Sequence, residues 1–309
     1  MPVVLTLTIN PAVDLSTSVD AVEPFRKLRC APVRRDPGGG GINVARVLRR
    51  FGVEATAIFP RGGPTGDQLA CCMRGEDIRS IEIPILGETR EDFTAFETRS
   101  GRQFRFVTPG PQLLQSEWRA CLDAIDVQAD FIVASGSLPP GVPDDFYARA
   151  AGIAKKQGVK FILDTSGPAL AAALEEGVFL VKPNLRELSE LLRVPLENEQ
   201  ARVNAARDLV MRGAAQMVAL SLAEEGALLI ARNEAWRALT PDIAPVSTVG
   251  AGDSFLGAMV WRLILGEGGA DALGHAVAAG TAALLSPGTE LCHAENVRTL
   301  LAQVKVEKI

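Results

Sequence analysis

The chain has 309 residues, 47% of them hydrophobic, with a formal net charge of −5 at pH 7. That apolar content fits one large α/β domain and excludes a disordered chain. A basic face for nucleic acid is excluded as well, because Arg34-Arg35 and Arg49-Arg50 are short clusters that read as solvated surface charge.

The opening Met-Pro-Val-Val-Leu-Thr-Leu-Thr lacks a basic run before its apolar part, so it reads as a strand and not as a signal peptide. A cytoplasmic location is expected. Asp14 is expected at the end of this first strand, where a substrate contact commonly sits. Two segments, about 15–36 and 88–108, alternate polar and apolar residues without helical period, as in Phe93-Thr-Ala-Phe-Glu-Thr and Gln103-Phe-Arg-Phe-Val. Ser100-Gly101 predicts a hairpin turn between the second pair. Together the two segments read as a small β-sheet lid inserted into a single domain, residues 1–309.

Pro37-Gly38-Gly39-Gly40-Gly41-Ile42-Asn43 leads into a helix over Val44 to Arg50. Its glycines would let the backbone approach a ligand, and Asn43 can both donate to and accept from a sugar hydroxyl. The same run also fits a flexible connector. From about residue 128 strands and helices alternate: strands at Phe131 to Ala134, Val159 to Leu163, Val178 to Val181 and Met217 to Ser221, with helices between them. This rhythm predicts βαβ units and a sheet covered on both faces. Ligands of such sheets sit beyond the carboxyl ends of the strands. The loops there hold Asn10 to Asp14, Gly38 to Asn43, Ser135 to Gly141, Asp164 to Gly167, Lys182 to Glu187 and Ser221 to Gly226.

Lys182-Pro183-Asn184-x-x-Glu187 places an amide and a carboxylate on one side of a helix start, where they suit a hydrated Mg²⁺; they equally suit a capped helix. Ser247-Thr-Val-Gly250-Ala-Gly252-Asp253-Ser254 precedes an apolar helix. Backbone N–H groups converging at such a helix start make an anion site, and Asp253 would be held ionised there by the helix dipole. A carboxylate so placed can take a hydroxyl proton during phosphoryl transfer, although an N-capped helix explains the same residues. The spacing is neither a Walker A loop nor a dinucleotide fingerprint, since Phe255 stands where a third glycine belongs. Lys27, Arg90 and Arg105 on the lid would suit an anionic substrate. The five cysteines show no metal spacing and read as reduced thiols, and the two histidines do not make a zinc site. The apolar stretch Ala276 to Leu285 reads as a buried helix, with His275 packed or capping beside it.

The Gly38–Asn43 run, Thr248-Val-Gly-Ala-Gly-Asp253, Lys182-Pro-Asn-x-x-Glu187 and Ser135-Gly-Ser-Leu-Pro-Pro-Gly141 together resemble the ribokinase-like phosphofructokinase-B family of carbohydrate kinases. Within it, Lys27-Leu-Arg-Cys30, Pro37 to Arg46 and Ala55-Thr-Ala-Ile-Phe-Pro60 are most similar to the 6-phosphofructokinase branch. Relatives acting on other hexose phosphates often have lysine where this chain has Gly40. The resemblance implies a three-layer sandwich with a mostly parallel central sheet and a small β-sheet lid. It implies ATP-dependent phosphorylation of fructose 6-phosphate, with tagatose-6-phosphate kinase or 1-phosphofructokinase as the alternative; an inactive sugar-phosphate-binding regulator is the non-enzyme reading. Asp253 would be the base, and Gly250, Ala251 and Gly252 the anion hole. Asp14, Gly38, Gly39 and Asn43 would hold sugar hydroxyls, while Lys27, Arg90, Arg105 and Ser137 would lie near the substrate phosphate, with Lys27 reaching from a partner subunit. Lys182, Asn184, Ser221, Gly226, Thr248, Gly250 and Gly252 would line the ATP site, and Glu187 would orient Mg²⁺ through water. A monovalent cation, K⁺ in the family, would sit near Ser247, Val249, Ala283 and Gly288, although Ser286 and Glu290 depart from the family pattern there. Paired lids imply a homodimer.

Overall fold

A computed structural model of the chain describes residues 2–286 and 288–309. The first strand, β1 (Val4–Leu7), is buried along its length and continues into β2 (Ala12–Val19) and β3 (Arg34–Gly38). There follow α1 (Gly40–Arg50), β4 (Ala55–Arg61), α2 (Gly63–Gly75), β5 (Arg79–Pro84), β6 (Arg90–Glu97) and β7 (Gln103–Phe106). The regular alternation then runs α3 (Gln115–Ile125), β8 (Phe131–Ser135), α4 (Phe146–Lys156), β9 (Lys160–Asp164), α5 (Gly167–Glu176), β10 (Val178–Val181), α6 (Leu185–Leu192), α7 (Glu199–Met211) and β11 (Ala215–Ser221). The chain ends with β12 (Ala227–Ala231), β13 (Ala235–Leu239), α8 (Ala251–Ile264), α9 (Gly269–Ala283), α10 (Ala294–Leu301) and β14 (Lys305–Lys308).

Ten strands form the main sheet in the order β14-β13-β12-β11-β10-β9-β8-β1-β4-β5. From β11 through β5 all neighbours are parallel, whereas β12, β13 and β14 add antiparallel strands at one edge. Alternate strand residues enter opposite cores. Leu5, Leu7, Ile132 and Ala134 pack against α3, α4, α5 and α7, while Val4, Phe131 and Val133 pack against α1, α2, α8 and α9. Period-two alternation of apolar with apolar is what a sheet covered on both faces requires. The strand order reverses between β1 and β8, and a crevice opens at such a switch point. Among the described residues no helix is long and apolar enough to cross a membrane.

The predicted lid is present as a separate four-stranded sheet, β3-β2-β6-β7. Its centre is the parallel pairing of β2 with β6, and β3 and β7 pair antiparallel on either side. The first lid segment is strand only at its two ends; residues 20–33 form none. Asp14 is accordingly on lid strand β2 and not at the end of the first strand as expected. His275 lies in α9, its Nδ1 2.9 Å from Asp271 O and its ring edge-on to Trp261, which is the packed role expected of it. All five cysteines are free.

Candidate active site

The carboxyl ends of β8 and β9 open into a cleft of about 450 Å³ with the lid along one side. Gly250 is the N-cap of α8, in the left-handed region at φ 76°, where a side chain is disfavoured and a Cβ would meet Leu291 at 2.5 Å. Ala251, Gly252 and Asp253 make the first turn, whose N–H groups have no partner within the helix. Asp253, Gly250 and Val249 face the cleft.

The Asp253 carboxylate accepts a 2.8 Å hydrogen bond from Asn43 Nδ2. Burial raises its pKa above the ordinary carboxylate value, while the Asn43 hydrogen bond, Lys182, Arg105 and Arg46 pull it down. Desolvation thus works against the ionisation that the helix terminus favours, and the neighbouring donor and cations offset part of it. Lys182, at the end of β10, pairs with Asp164, at the end of β9, at 3.0 Å. Burial pushes Asp164 up to about 6 against the pull of Lys182, with Asp253 adding to the rise. For Lys182 burial works downward, yet the charge and hydrogen bond of Asp164 leave its pKa raised.

Asn184 and Glu187 realise the capped-helix reading of their motif. Asn184 Oδ1 accepts from Glu187 N–H and Glu187 Oε2 accepts from Asn184 N–H, each at 2.9 Å, closing a reciprocal cap on α6. Glu187 also lines the cleft.

The glycine run turns out to be shaped by the protein itself. A Cβ at Gly38 would stand 2.4 Å from Asp14 Oδ1, at Gly39 2.6 Å from Thr8 Cγ2, at Gly40 2.1 Å from Ser135 Oγ, and at Gly41 2.6 Å from Thr8 Oγ1. The glycines let α1 start directly against β1 and β8, and Thr8 Oγ1 accepts from Ile42 N–H at 2.9 Å where Gly39 offers no capping side chain. Both Gly39 and Asn43 face the cleft.

Across the cleft stand Asp14, Arg90, Arg105 and Ser137. Arg90 donates to Thr108 O at 2.9 Å and pairs with Asp92 at 3.3 Å. Asn10 Nδ2 donates to Ser137 Oγ at 3.1 Å. Lys27 is exposed in the strandless 20–33 segment and does not reach the cleft. Ser221, Gly226 and Thr248 also lie outside its lining, with Ser221 beside the α6 cap through its bridge to Asn184. Ser247 Oγ donates to Gly288 O at 3.2 Å and accepts from Gln103 of the lid at 3.2 Å, while Ala283 is buried at the end of α9. Residues given no individual role from the sequence also line the cleft: Asp92, and Ser135, Asp164 and Thr165 from the ligand-facing loops. For Asp164 a signal existed, since it ends a strand in a ligand-facing loop; Asp92 sits mid-strand in the lid and gave none.

The architecture and the sequence comparisons define the class, a carbohydrate kinase that works by phosphoryl transfer. The chain belongs to the pfkB family of carbohydrate kinases, whose sequence profile matches residues 3–296. It is 44% identical over 299 residues to the ATP-dependent 6-phosphofructokinase isozyme 2 of Mycobacterium tuberculosis, covering 96% of this chain and 88% of that one. With the Escherichia coli protein of the same name it shares 39% identity over 302 residues, 97% and 98% of the two chains. Crystal structures of E. coli phosphofructokinase-2 with substrates and products, and with potassium, each superpose with a TM-score of 0.94 at 38% identity. They cover 97% and 98% of this chain respectively, and 99% of theirs. The ribokinase-like architecture expected from the sequence is thus borne out.

Proposed function

We propose that the chain transfers the γ-phosphoryl group of ATP to the free primary hydroxyl of fructose 6-phosphate, forming fructose 1,6-bisphosphate. One observation carries the reading: a half-buried carboxylate, Asp253, sits in the first turn of α8 facing a cleft whose far wall carries Arg90 and Arg105. Asp253 accepts the hydroxyl proton, and the N–H groups of Gly250, Ala251 and Gly252 face the charge that develops on the transferred group. Asp14, Gly38, Gly39 and Asn43 hold the sugar. Arg90, Arg105 and Ser137 take its phosphate, with Lys27 from a partner subunit.

Lys182, Asn184, Ser221, Gly226 and Thr248 form the nucleotide side together with Gly250 and Gly252. Among the described residues no group of three or more His, Cys, Asp or Glu side chains could hold a metal. Glu187, whose Oε2 serves the cap, and nearby Asp164 are oxygen groups that suit a Mg²⁺ keeping most of its waters. Bound Mg²⁺ supplies neutralisation of phosphate charge. A monovalent cation, K⁺ in keeping with the potassium complex of the E. coli protein, would sit near Ser247, Val249, Ala283 and Gly288, where the Ser247 hydroxyl meets the Gly288 carbonyl. The chain is further read as a cytoplasmic, glycolytic homodimer joined through the lid, where Phe25, Phe106 and Val107 are exposed.

The test is ADP release with MgATP, comparing fructose 6-phosphate, tagatose 6-phosphate and fructose 1-phosphate by kcat/KM. Preference for fructose 6-phosphate is expected. Preference for either of the others moves the proposal to that sugar, and no turnover with any of them overturns it.

A further inference from the structure

Arg46 lies on α1 one turn beyond Asn43, and its side chain is 1% exposed. A charge that deep must be shared among protein groups. Nε and Nη2 take the two carboxylate oxygens of Glu76, the residue after α2, at 2.9 and 2.6 Å. Nη1 lies 3.0 Å from Pro37 O at the root of the lid, 3.2 Å from Thr289 O and 3.1 Å from Asn43 Oδ1. Nη2 is 3.7 Å from Asp36 Oδ1 on β3, and Thr289 Oγ1 donates to Asp36 Oδ2 at 3.1 Å.

The contact with Asn43 has a direction. An amide presents one acceptor oxygen and one donor NH₂. A guanidinium only donates, so it selects the oxygen and turns the NH₂ toward Asp253, where it donates at 2.8 Å. Flipping the amide would set donor against donor at Arg46 and oxygen against oxygen at Asp253. Both faults arise where unmet hydrogen bonds are costly.

We propose that Arg46 is a positioning residue for phosphoryl transfer, locking the Asn43 amide in the orientation that holds the Asp253 carboxylate and tying it to the lid root and to Thr289. The proposal rests on the reading of Asp253 as the base. Seven further charged groups face that carboxylate or the cleft around it: Lys182 after β10, Asp164 from β9, Glu187 from α6, Arg105 from β7, Arg90 and Asp92 from β6, and Asp14 from β2.

The experiment measures kcat, KM and the acid limb of the kcat–pH profile for wild type, Arg46→Met, Arg46→Lys, Asn43→Ala and the Asn43→Ala/Arg46→Met double variant. Arg46→Met should lose about 10–100-fold in kcat, with KM for the sugar phosphate changed only a few-fold. Its acid limb should move to higher pH, because removal of a nearby positive charge favours the protonated carboxyl. Arg46→Lys should recover part of kcat and restore the limb. In the Asn43→Ala background, Arg46→Met should add little. Independent, multiplicative effects of the two sites, or an acid limb that stays in place, would overturn the proposal. If Arg46→Met does not fold, as melting would reveal, the same cycle run with Arg46→Lys decides. Asp253→Asn is measured alongside: if active, the base reading itself fails; if inactive while the Arg46 and Asn43 effects multiply, only the positioning role fails.

Discussion

Asp14 and Asp92 stand directly opposite each other in the parallel pairing of β2 with β6, and Asp36 stands opposite Asp14 on its other side. Three aspartates therefore cross the lid sheet in one row. Like charges on facing strands repel. Asp36 is relieved by Arg34 at 2.9 Å and Asp92 by Arg90 at 3.3 Å, which leaves Asp14 as the member that yields. Burial, followed by the charge of Asp92, pushes its pKa from 3.8 up to about 7, against Arg46, Arg105 and Arg90.

A stability consequence follows with a definite sign. Between about pH 4 and 7 the folded state holds a proton on Asp14 that the unfolded chain has released, so stability falls as pH rises through that window. Asp14→Asn should melt higher than wild type at pH 8, by about 1–4 kcal/mol, with the gap closing near pH 4. Calorimetry at the two pH values decides; a variant less stable at pH 8 contradicts the assignment.

Removing the base should separate binding from chemistry. Asp253→Asn is expected to lower kcat by roughly 10²–10⁴-fold while nucleotide affinity stays within a few-fold. Single-turnover kinetics with titration calorimetry measure both, and an unchanged rate rules out the role.

Glu187 has two duties that a single atom change should divide. Gln keeps an acceptor for the Asn184 N–H, so Glu187→Gln should melt near wild type, yet need about 10–100-fold more Mg²⁺ for half-maximal rate. Asn184→Ala should instead cost about 1 kcal/mol of stability through the lost cap. Should the Mg²⁺ requirement of Glu187→Gln match wild type, the metal role is lost.

Gly40 is confined by Ser135. Gly40→Ala should cost about 1–3 kcal/mol, because its Cβ would lie 2.1 Å from Ser135 Oγ. Ser135→Gly in the same chain should return most of it. Chemical denaturation of the two single variants and the double variant measures the coupling, and strict additivity would mean the clash is relieved elsewhere.

The exposed lid residues test the dimer. Phe106 is 56% exposed on β7 and neighbours Val107 at 60%. Phe106→Asp should shift a dimer to monomers in sedimentation velocity without lowering the melting temperature of the isolated chain. A dimer untouched by this change and by Val107→Asp places the interface elsewhere.

Much of this was legible in the residues. The β8-to-β11 alternation appeared at nearly its observed bounds because apolar runs of strand length were separated by helical periods. Asp253, Asn43 and Glu187 were legible as cleft residues because each lies within four residues of a glycine or proline that punctuates the chain. Less visible were contacts made only by tertiary packing. Of the antiparallel strands, β12 is apolar like its parallel neighbours and gave no separate sign, while β14 is mostly charged and did not read as a strand. Asp92 and Arg46 gave no sign of their roles, since nothing local says that a residue 78 positions away, or a loop near the other end of the chain, will close over them. The glycine run was read for ligand approach alone, whereas its missing side chains also make room for Thr8, Ser135 and Asp14.

The parallel join of β2 to β6 also orders events in time. Its partners, Ala12 and Arg90, lie 78 positions apart, with β3, α1, β4, α2 and β5 between them in the chain. Closing so long a loop without a hairpin is slow. The lid sheet should therefore be the last cooperative unit to assemble and the first to open, its amides exchanging with solvent deuterium well before those of β1 and β8.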